Sequence, residues 1–309
     1  MTREVSFFVL VLFVVSFNHV VASSATSSNY EHSRRLLDHI QVSSFNSSFK
    51  VTRTGSKLRA SSNQGVDLIG HYCGYRSSEA AYAGAIATMD VYAFPNLRKG
   101  ELIAAQIWVA DNNKKNQVIA GWEVHPERYG DSKTHFYTYW MSDRKDGCSN
   151  LRCAGFVPVN LATITPGDTL EPSSGQTSIT LKIFKSQEDG HWWLHFGHDI
   201  NSLNPVGYWP KTLLVNMQDH AGSIVWGGTT GSYNEQISPP MGSGQWPGSN
   251  SAASFQNVQY VDVSGQGYDP PGDSLHAIET HRKCYQTGVF RLEVQGNMFY
   301  YGGPGGCTT

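Results

Sequence analysis

From Val66 onward the chain alternates short apolar or polar–apolar runs with polar turn clusters. Runs at residues 85–92, 102–109 and 117–124 are followed by residues 135–140, where His135-Phe136-Tyr137-Thr138-Tyr139-Trp140 alternates as a half-buried strand does. Further runs lie at 155–160, 179–184, 192–196, 223–226, 255–263, 289–294 and 298–301. Asn112-Asn113-Lys114-Lys115-Asn116 and Pro126 punctuate them. Only residues 210–218 read as a helix, with Pro210 near the first turn and Leu213, Leu214 and Met217 on one side. Many strands at short spacing with one short helix predict an all-β fold, an antiparallel two-sheet β-sandwich. No internal repeat is visible.

The N-terminus follows a different pattern. Met1-Thr2-Arg3-Glu4 precedes an apolar run at 5–21, interrupted by Ser6, Ser16, Asn18 and His19, and Val20-Val21-Ala22 supplies small residues at its exit. This predicts a secretory signal at 1–22, cleaved after Ala22, against the alternative of an uncleaved anchor. Residues 23–65, rich in Ser, Asn and Arg, read as a mobile leader with a helical patch at 34–40. Within it Asn46-Ser47-Ser48 is a glycosylation acceptor, and Arg34-Arg35 is a solvated basic pair or a processing site. Residues 66–309 form the folded domain.

Composition narrows the function classes. The 23 Lys and Arg residues nearly balance 25 Asp and Glu, so no electrostatic footprint for nucleic acid or an anionic membrane is expected. Five cysteines in a secreted chain are expected to be bridged. Cys148 with Cys153 closes a small loop, Cys284 with Cys307 ties down the C-terminal strands, and Cys73 is left over as a buried free thiol or an intermolecular bridge.

Two motifs do not carry chemistry. Gly272-Asp273-Ser274-Leu275 spells a lipase-like nucleophile block, but it follows Pro270-Pro271 in a loop and has no separate carboxylate to orient a base. His191 and His195 share a strand face while His198 points the other way, so the three do not converge as zinc ligands. No metal and no cofactor are expected.

A series of blocks then brings a family into view. Ala120-Gly121-Trp122-Glu123-Val124-His125-Pro126 continues into Tyr129-Gly130-Asp131, Thr138-Tyr139-Trp140, Gly147-Cys148 and Cys153-Ala154-Gly155-Phe156-Val157. Later come Trp192-Trp193-Leu194, Gly207-Tyr208-Trp209-Pro210, Trp226-Gly227-Gly228, Met241-Gly242-Ser243-Gly244 and Tyr300-Tyr301-Gly302-Gly303-Pro304-Gly305-Gly306. In this order they resemble the neprosin family of plant glutamic peptidases. The resemblance implies a two-sheet sandwich and an acid-acting endopeptidase that cuts after proline. It also implies two glutamates projecting into a cleft between the sheets, one ionised to activate water and one protonated to donate.

The two positions depart from the family pattern. The first glutamate of the resemblance precedes Ala-Gly-Trp, where this chain has Ile119; the second follows Trp-Gly-Gly, where it has Thr229. Neither side chain titrates, so the mechanism is expected not to run. The possible substitutes are Glu123, on the same strand face as Ile119, and Glu235, in the loop after Thr229. The stretch between Ala22 and Val66 is also short beside the inhibitory pro-region the resemblance implies, with Asp38-His39-Ile40-Gln41 as its tail.

The expected protein is therefore a secreted, extracellular or cell-wall, non-catalytic binder of proline-rich polypeptide or a cell-wall polymer. The alternatives are an active post-proline peptidase with relocated carboxylates and a glycan-binding module. Cleft candidates are Trp122, Tyr139, Trp140, Trp193 and Trp226. No membrane contact is expected once the signal is removed.

Overall fold

The computed structural model describes residues 49–51, 68–143, 146–172, 178–233, 236–292 and 296–308. The signal, the patch at 34–40, Asn46 and Glu235 lie outside the described residues. In chain order the strands are β1 (Phe49–Val51), β2 (Leu68–Ser77), β3 (Gly84–Asp90), β4 (Glu101–Ala110), β5 (Gln117–Val124) and β6 (Thr134–Met141). They continue with β7 (Gly147–Ser149), β8 (Val157–Pro158), β9 (Thr169–Leu170), β10 (Ser178–Lys185), β11 (Trp192–Gly197) and β12 (Asn204–Trp209). The last are β13 (Ser223–Tyr233), β14 (Ala253–Val261), β15 (Gly267–Tyr268), β16 (Leu275–Glu279), β17 (Gln286–Thr287) and β18 (Phe299–Gly302).

Every ladder is antiparallel, and the strands divide into two sheets. The first runs β1-β2-β13-β4-β5-β6-β7, with β16 on β2 and β9 on β6. The second runs β17-β18-β14-β3-β10-β11-β12-β8, with β15 on β14. The predicted sandwich is thus present. The strand period of two explains its core, because alternate residues of each strand point inward. Ile103, Ala105, Ile107 and Val109 of β4 meet the inward residues of the facing sheet, such as Ala85, Ala87 and Met89 of β3.

Four tryptophans anchor this layer: Trp122, Trp192, Trp209 and Trp226 are fully buried. Three of them send an indole N–H to a carbonyl, at 2.8 Å for Trp122 to Asp90, 2.9 Å for Trp192 to Met217 and 3.2 Å for Trp226 to Ile86. Such a ring buries a large apolar area without orphaning its one donor.

Two expectations are corrected. Residues 210–218 do not form the predicted helix; only a 3-10 turn at Val215–Met217 appears. Val215 is exposed and Leu214 and Met217 are buried, so the segment has two inward side chains and no full apolar stripe. Among the described residues the α-helical turn is instead α1 (Pro126–Tyr129), with Pro126 in its first turn and Gly130 closing it in the left-handed region at φ 85°. Within the leader, Phe49–Val51 pairs with Leu68–Gly70 of β2, so those three residues are strand rather than mobile.

Both expected disulfides are present, Cys148–Cys153 and Cys284–Cys307, and Cys73 is a buried free thiol. Burial pushes the Cys73 thiol up to about 12, which leaves it protonated and unreactive. The bridge between Cys284 and Cys307 spans 23 positions and ties the β17–β18 region to the C-terminus. Replacing both cysteines by serine is expected to cost about 3 kcal/mol in urea unfolding, from lost loop constraint in the unfolded chain. A midpoint unchanged from wild type would refute that role.

Candidate functional site

The register fixes where Ile119 and Thr229 sit. In β5, Val118, Ala120, Trp122 and Val124 point into the inter-sheet core, so Ile119, Gly121 and Glu123 point the opposite way. In β13 the core residues are Ile224 and Trp226, which puts Val225 and Thr229 on that same outer face. The two positions therefore share a face, but it is the face turned away from the second sheet, not a cleft between the sheets as the resemblance implied.

Three side-chain rows cross this outer face. One runs Arg76, Val225, Trp108, Ile119, Tyr139. The next runs Gly74, Gly227, Gln106, Gly121, Tyr137, and the third Tyr72, Thr229, Ala104, Glu123, His135. Ile119 and Thr229 lie diagonally across two strands and two rows, and Gln106 projects from the midpoint between them. Gln106 is buried, and its Oε1 accepts the Trp108 indole N–H at 2.8 Å. The three glycines of the middle row leave Gln106 as the one polar side chain there before Tyr137. Gly121 is enforced by the backbone itself, since a Cβ there would lie 2.0 Å from the Ala105 carbonyl oxygen.

Around Ile119 the surface is apolar and aromatic. Tyr72, Trp108, Ile119, Tyr137, Tyr139, Met141 and Val225 form one cluster, each at most 8% exposed. Tyr72 meets Trp108 edge to face at 4.9 Å between centroids. Thr229 is buried too, and its Oγ1 has no hydrogen-bond partner among the described residues.

Among the described strand residues on this face, Glu123 is the only carboxylate. It is 2% exposed and fully engaged. Arg128 Nε lies 3.0 Å from Glu123 Oε1, and the Tyr129 hydroxyl donates to the same oxygen at 2.8 Å. Burial raises the Glu123 pKa, while Arg128 foremost, then Tyr129, Arg152 and His135, pull against that rise. The turn α1 builds this arrangement by folding Arg128 and Tyr129 back over the end of β5. His135 stacks on Tyr129 at 3.7 Å and its Nε2 lies 3.0 Å from Asp131 Oδ1, and the Asn150 amide donates to the Tyr129 hydroxyl at 2.9 Å. A carboxylate held in this way is a structural ion-pair partner. It shares the row of Thr229 and lies about 13 Å along β5 from Ile119, by the rise per residue.

The remaining candidates separate. Trp122, Trp140 and Trp226 belong to the inter-sheet core, so they do not line an open groove as expected. Tyr139 lies on the outer face beside Ile119, and Trp193 lies half-buried on the other sheet. Ser274 donates to the Pro271 carbonyl at 2.7 Å and meets the Tyr260 hydroxyl at 3.1 Å, with no histidine on it. Among the described residues one His/Cys/Asp/Glu cluster is tight enough for a metal, His281 with Cys284 and Cys307, and both sulfurs are spent in the disulfide.

Sequence reasoning missed Arg128, Tyr129 and Gln106. A signal for the first two existed: Pro126 directly after a strand marks a helical first turn, which brings residues 128 and 129 back over residue 123. Gln106 carried no signal, because its importance lies in cross-strand register.

Two buried histidines give the fold an acid dependence. Burial, with His281 adding repulsion, holds His71 at about 4, and burial followed by Arg128 and Arg152 holds His125 well below 6.5. Both are neutral in the fold and gain a proton near 6.5 when unfolded, so the unfolded chain binds more protons between about 6.5 and 4. Stability is therefore expected to fall as pH drops through that window. Glu123 and Asp90, with raised pKa values, act in the opposite sense near its lower end. Thermal melts from about pH 7.5 to 5 should show a falling midpoint, less steep in His125→Gln; a flat profile would refute this.

Comparison with known proteins gives a family. The Neprosin family model matches residues 99–304. Scytalido-glutamic peptidase bound to a peptide-based transition-state analogue is 10% identical, covering 75% of this chain and 98% of that one, with a TM-score of 0.37. A second complex, with a transition-state analogue inhibitor, gives 12%, the same coverage and 0.38. Winged bean acidic lectin with methyl-α-D-galactose is 8% identical, covering 61% and 88%, with a TM-score of 0.21. These scores are too low for the superpositions to assign a residue or a ligand. The family match, which spans most of the folded domain, is sufficient by itself: the chain belongs to the Neprosin family.

Proposed function

We propose that this protein is a secreted member of the family that has lost glutamic-peptidase chemistry and binds proline-rich polypeptide without cutting it. One observation carries the loss. The face holding both family positions presents Ile119 and Thr229, and its one described carboxylate is consumed by Arg128 and Tyr129. The two-carboxyl mechanism needs one proton shared across two titratable groups at the scissile bond, and the described residues of this face supply neither half. Relocation to Glu123 is disfavoured because freeing its carboxylate would break its buried ion pair with Arg128.

Binding is supported by the rings on this face. Tyr72, Trp108, Tyr137 and Tyr139 surround the side-chain-poor row at Gly74, Gly227 and Gly121; each ring is at most 8% exposed, so an extended polyproline II chain would reach them once their cover moves aside. The two disulfides are compatible with an oxidising, extracellular setting. Among the described residues no helix is long and apolar enough to cross a membrane.

Calorimetric titration with a proline-rich peptide tests the binding half. A saturable heat that is weakened at least tenfold in Tyr139→Ala is expected; absence of any heat would remove proline-rich polypeptide as the ligand.

A further inference from the structure

The second sheet carries a depression of about 630 Å³ on its own outer face, remote from Ile119 and Thr229. Its floor is one side-chain row, Gln259, Ile86, Lys182 and His195, from β14, β3, β10 and β11. Its rim includes Asn201, Asn257 and Gln266. The next row of the same face is aromatic, with Phe184, Trp193 and Tyr208 on neighbouring strands and all three half-buried. Trp193 and Tyr208 lie 5.0 Å apart, and His191 stacks on Tyr208 at 4.7 Å.

We propose that this groove, together with the aromatic row beside it, binds a neutral oligosaccharide, with a sugar ring stacked on Trp193 and hydroxyls paired with Asn201, Gln259 and Gln266. The lining decides among ligand classes. Among the described residues of its lining, Lys182 is the one lysine or arginine and Asp269 the one carboxylate, so these bring no convergent charge for a phosphate or a uronate. Lys182 is also already engaged, donating to the Gly265 carbonyl at 2.6 Å and lying 4.4 Å over the Phe184 ring. Burial and the nearby lysine hold His195 at about 4, so at neutral pH its ring offers one donor and one acceptor rather than a charge.

Each amide likewise offers both a donor and an acceptor, which is the pattern of a sugar hydroxyl. A proline-rich chain offers mainly acceptors and would leave the amide oxygens unpaired. The aromatic row adds flat faces for the C–H faces of pyranose rings, an apolar contact next to a polar one. The frame is stiff. The Trp193 indole donates to Asp189 Oδ2 at 3.0 Å, and the Asn257 amide donates to Thr88 Oγ1 at 2.9 Å.

This site is independent of the proposed loss of peptidase chemistry, and its test separates the two. Cellohexaose and xylohexaose are titrated into the full mature protein by calorimetry, beside polygalacturonate and a polyproline peptide. Binding of at least one neutral hexasaccharide is expected, weakened about tenfold in Trp193→Ala and several-fold in Gln266→Ala. Gln266 sits on an exposed loop, so that variant stays folded even if Trp193→Ala does not. Three results would overturn the proposal: no binding of either hexasaccharide, undiminished binding in Gln266→Ala together with folded Trp193→Ala, or displacement of bound sugar by the polyproline peptide.

Discussion

Replacing Arg128 with alanine is expected to lower stability by about 3–5 kcal/mol, the cost of leaving a buried charge without its partner. Arg128 and Glu123 are both nearly inaccessible, and their atoms approach to 3.0 Å. Removing the guanidinium leaves Glu123 with the Tyr129 hydroxyl and the weaker pull of Arg152 and His135, and empties the place above the Tyr137 ring, 5.5 Å from the Arg128 guanidinium carbon. It also removes the donor to the Ser149 hydroxyl. Against a typical domain stability of about 5–15 kcal/mol, that loss is a large fraction of the whole. The double change Glu123→Leu, Arg128→Met should recover much of it, because a packed apolar pair escapes the desolvation cost. Urea unfolding of the three proteins decides the matter. An Arg128→Ala midpoint close to wild type would mean that Glu123 is free to titrate, and the case for its structural role would fail.

Installing Ile119→Glu with Thr229→Glu is expected to create post-proline cleavage in acid where the wild type shows none. Each lost acid or base is worth about a hundred- to ten-thousand-fold, so either single variant should stay near background. The surroundings favour the split protonation that two carboxyls need. The face is buried and lined by Trp108, Tyr72 and Tyr139, so desolvation raises both pKa values, and mutual repulsion drives the second higher. Two long side chains would also extend towards one another past Gln106, where isoleucine and threonine do not. Burying carboxyls there is costly near neutrality and cheaper in acid, where they are mostly protonated. The double variant should therefore be least stable near pH 7 and cut only below about pH 5. Product masses ending in proline are the readout. A folded double variant that cuts nothing would show that the face lacks more than its carboxyls.

The sandwich was legible because its central strands are short runs of strand-forming residues bounded by turn clusters. Residues 102–109 and 117–124 became β4 and β5 almost unchanged. Strands with mixed surroundings were less visible. β2 carries Gly70, His71, Gly74 and Arg76 among its apolar residues, and β12 contains Pro205 and Gly207, so neither resembles a strand by composition. Residues 155–160 yielded only Val157–Pro158, and 210–218 only a single 3-10 turn, because short apolar groups there pack locally without a full face.

For the candidate site, the sequence pointed to positions but not to what surrounds them. The blocks around Trp122 and Trp226 identified positions 119 and 229, but a block cannot state which sheet face a residue occupies. That depends on register, which places Gln106 between the two positions and the flanking tryptophans behind them in the core. Likewise Glu123 looked like a spare carboxylate until the turn at Pro126–Tyr129 folded Arg128 onto it.

The central claim, that this member of the family does not hydrolyse peptide bonds by the two-carboxyl route, has a direct test. Purified mature wild-type protein is incubated with a proline-rich peptide from about pH 2.5 to 7, and the peptide is weighed by mass spectrometry. Intact peptide at every pH is the predicted result. Fragments ending in proline, growing with time and with wild-type enzyme concentration, would contradict it.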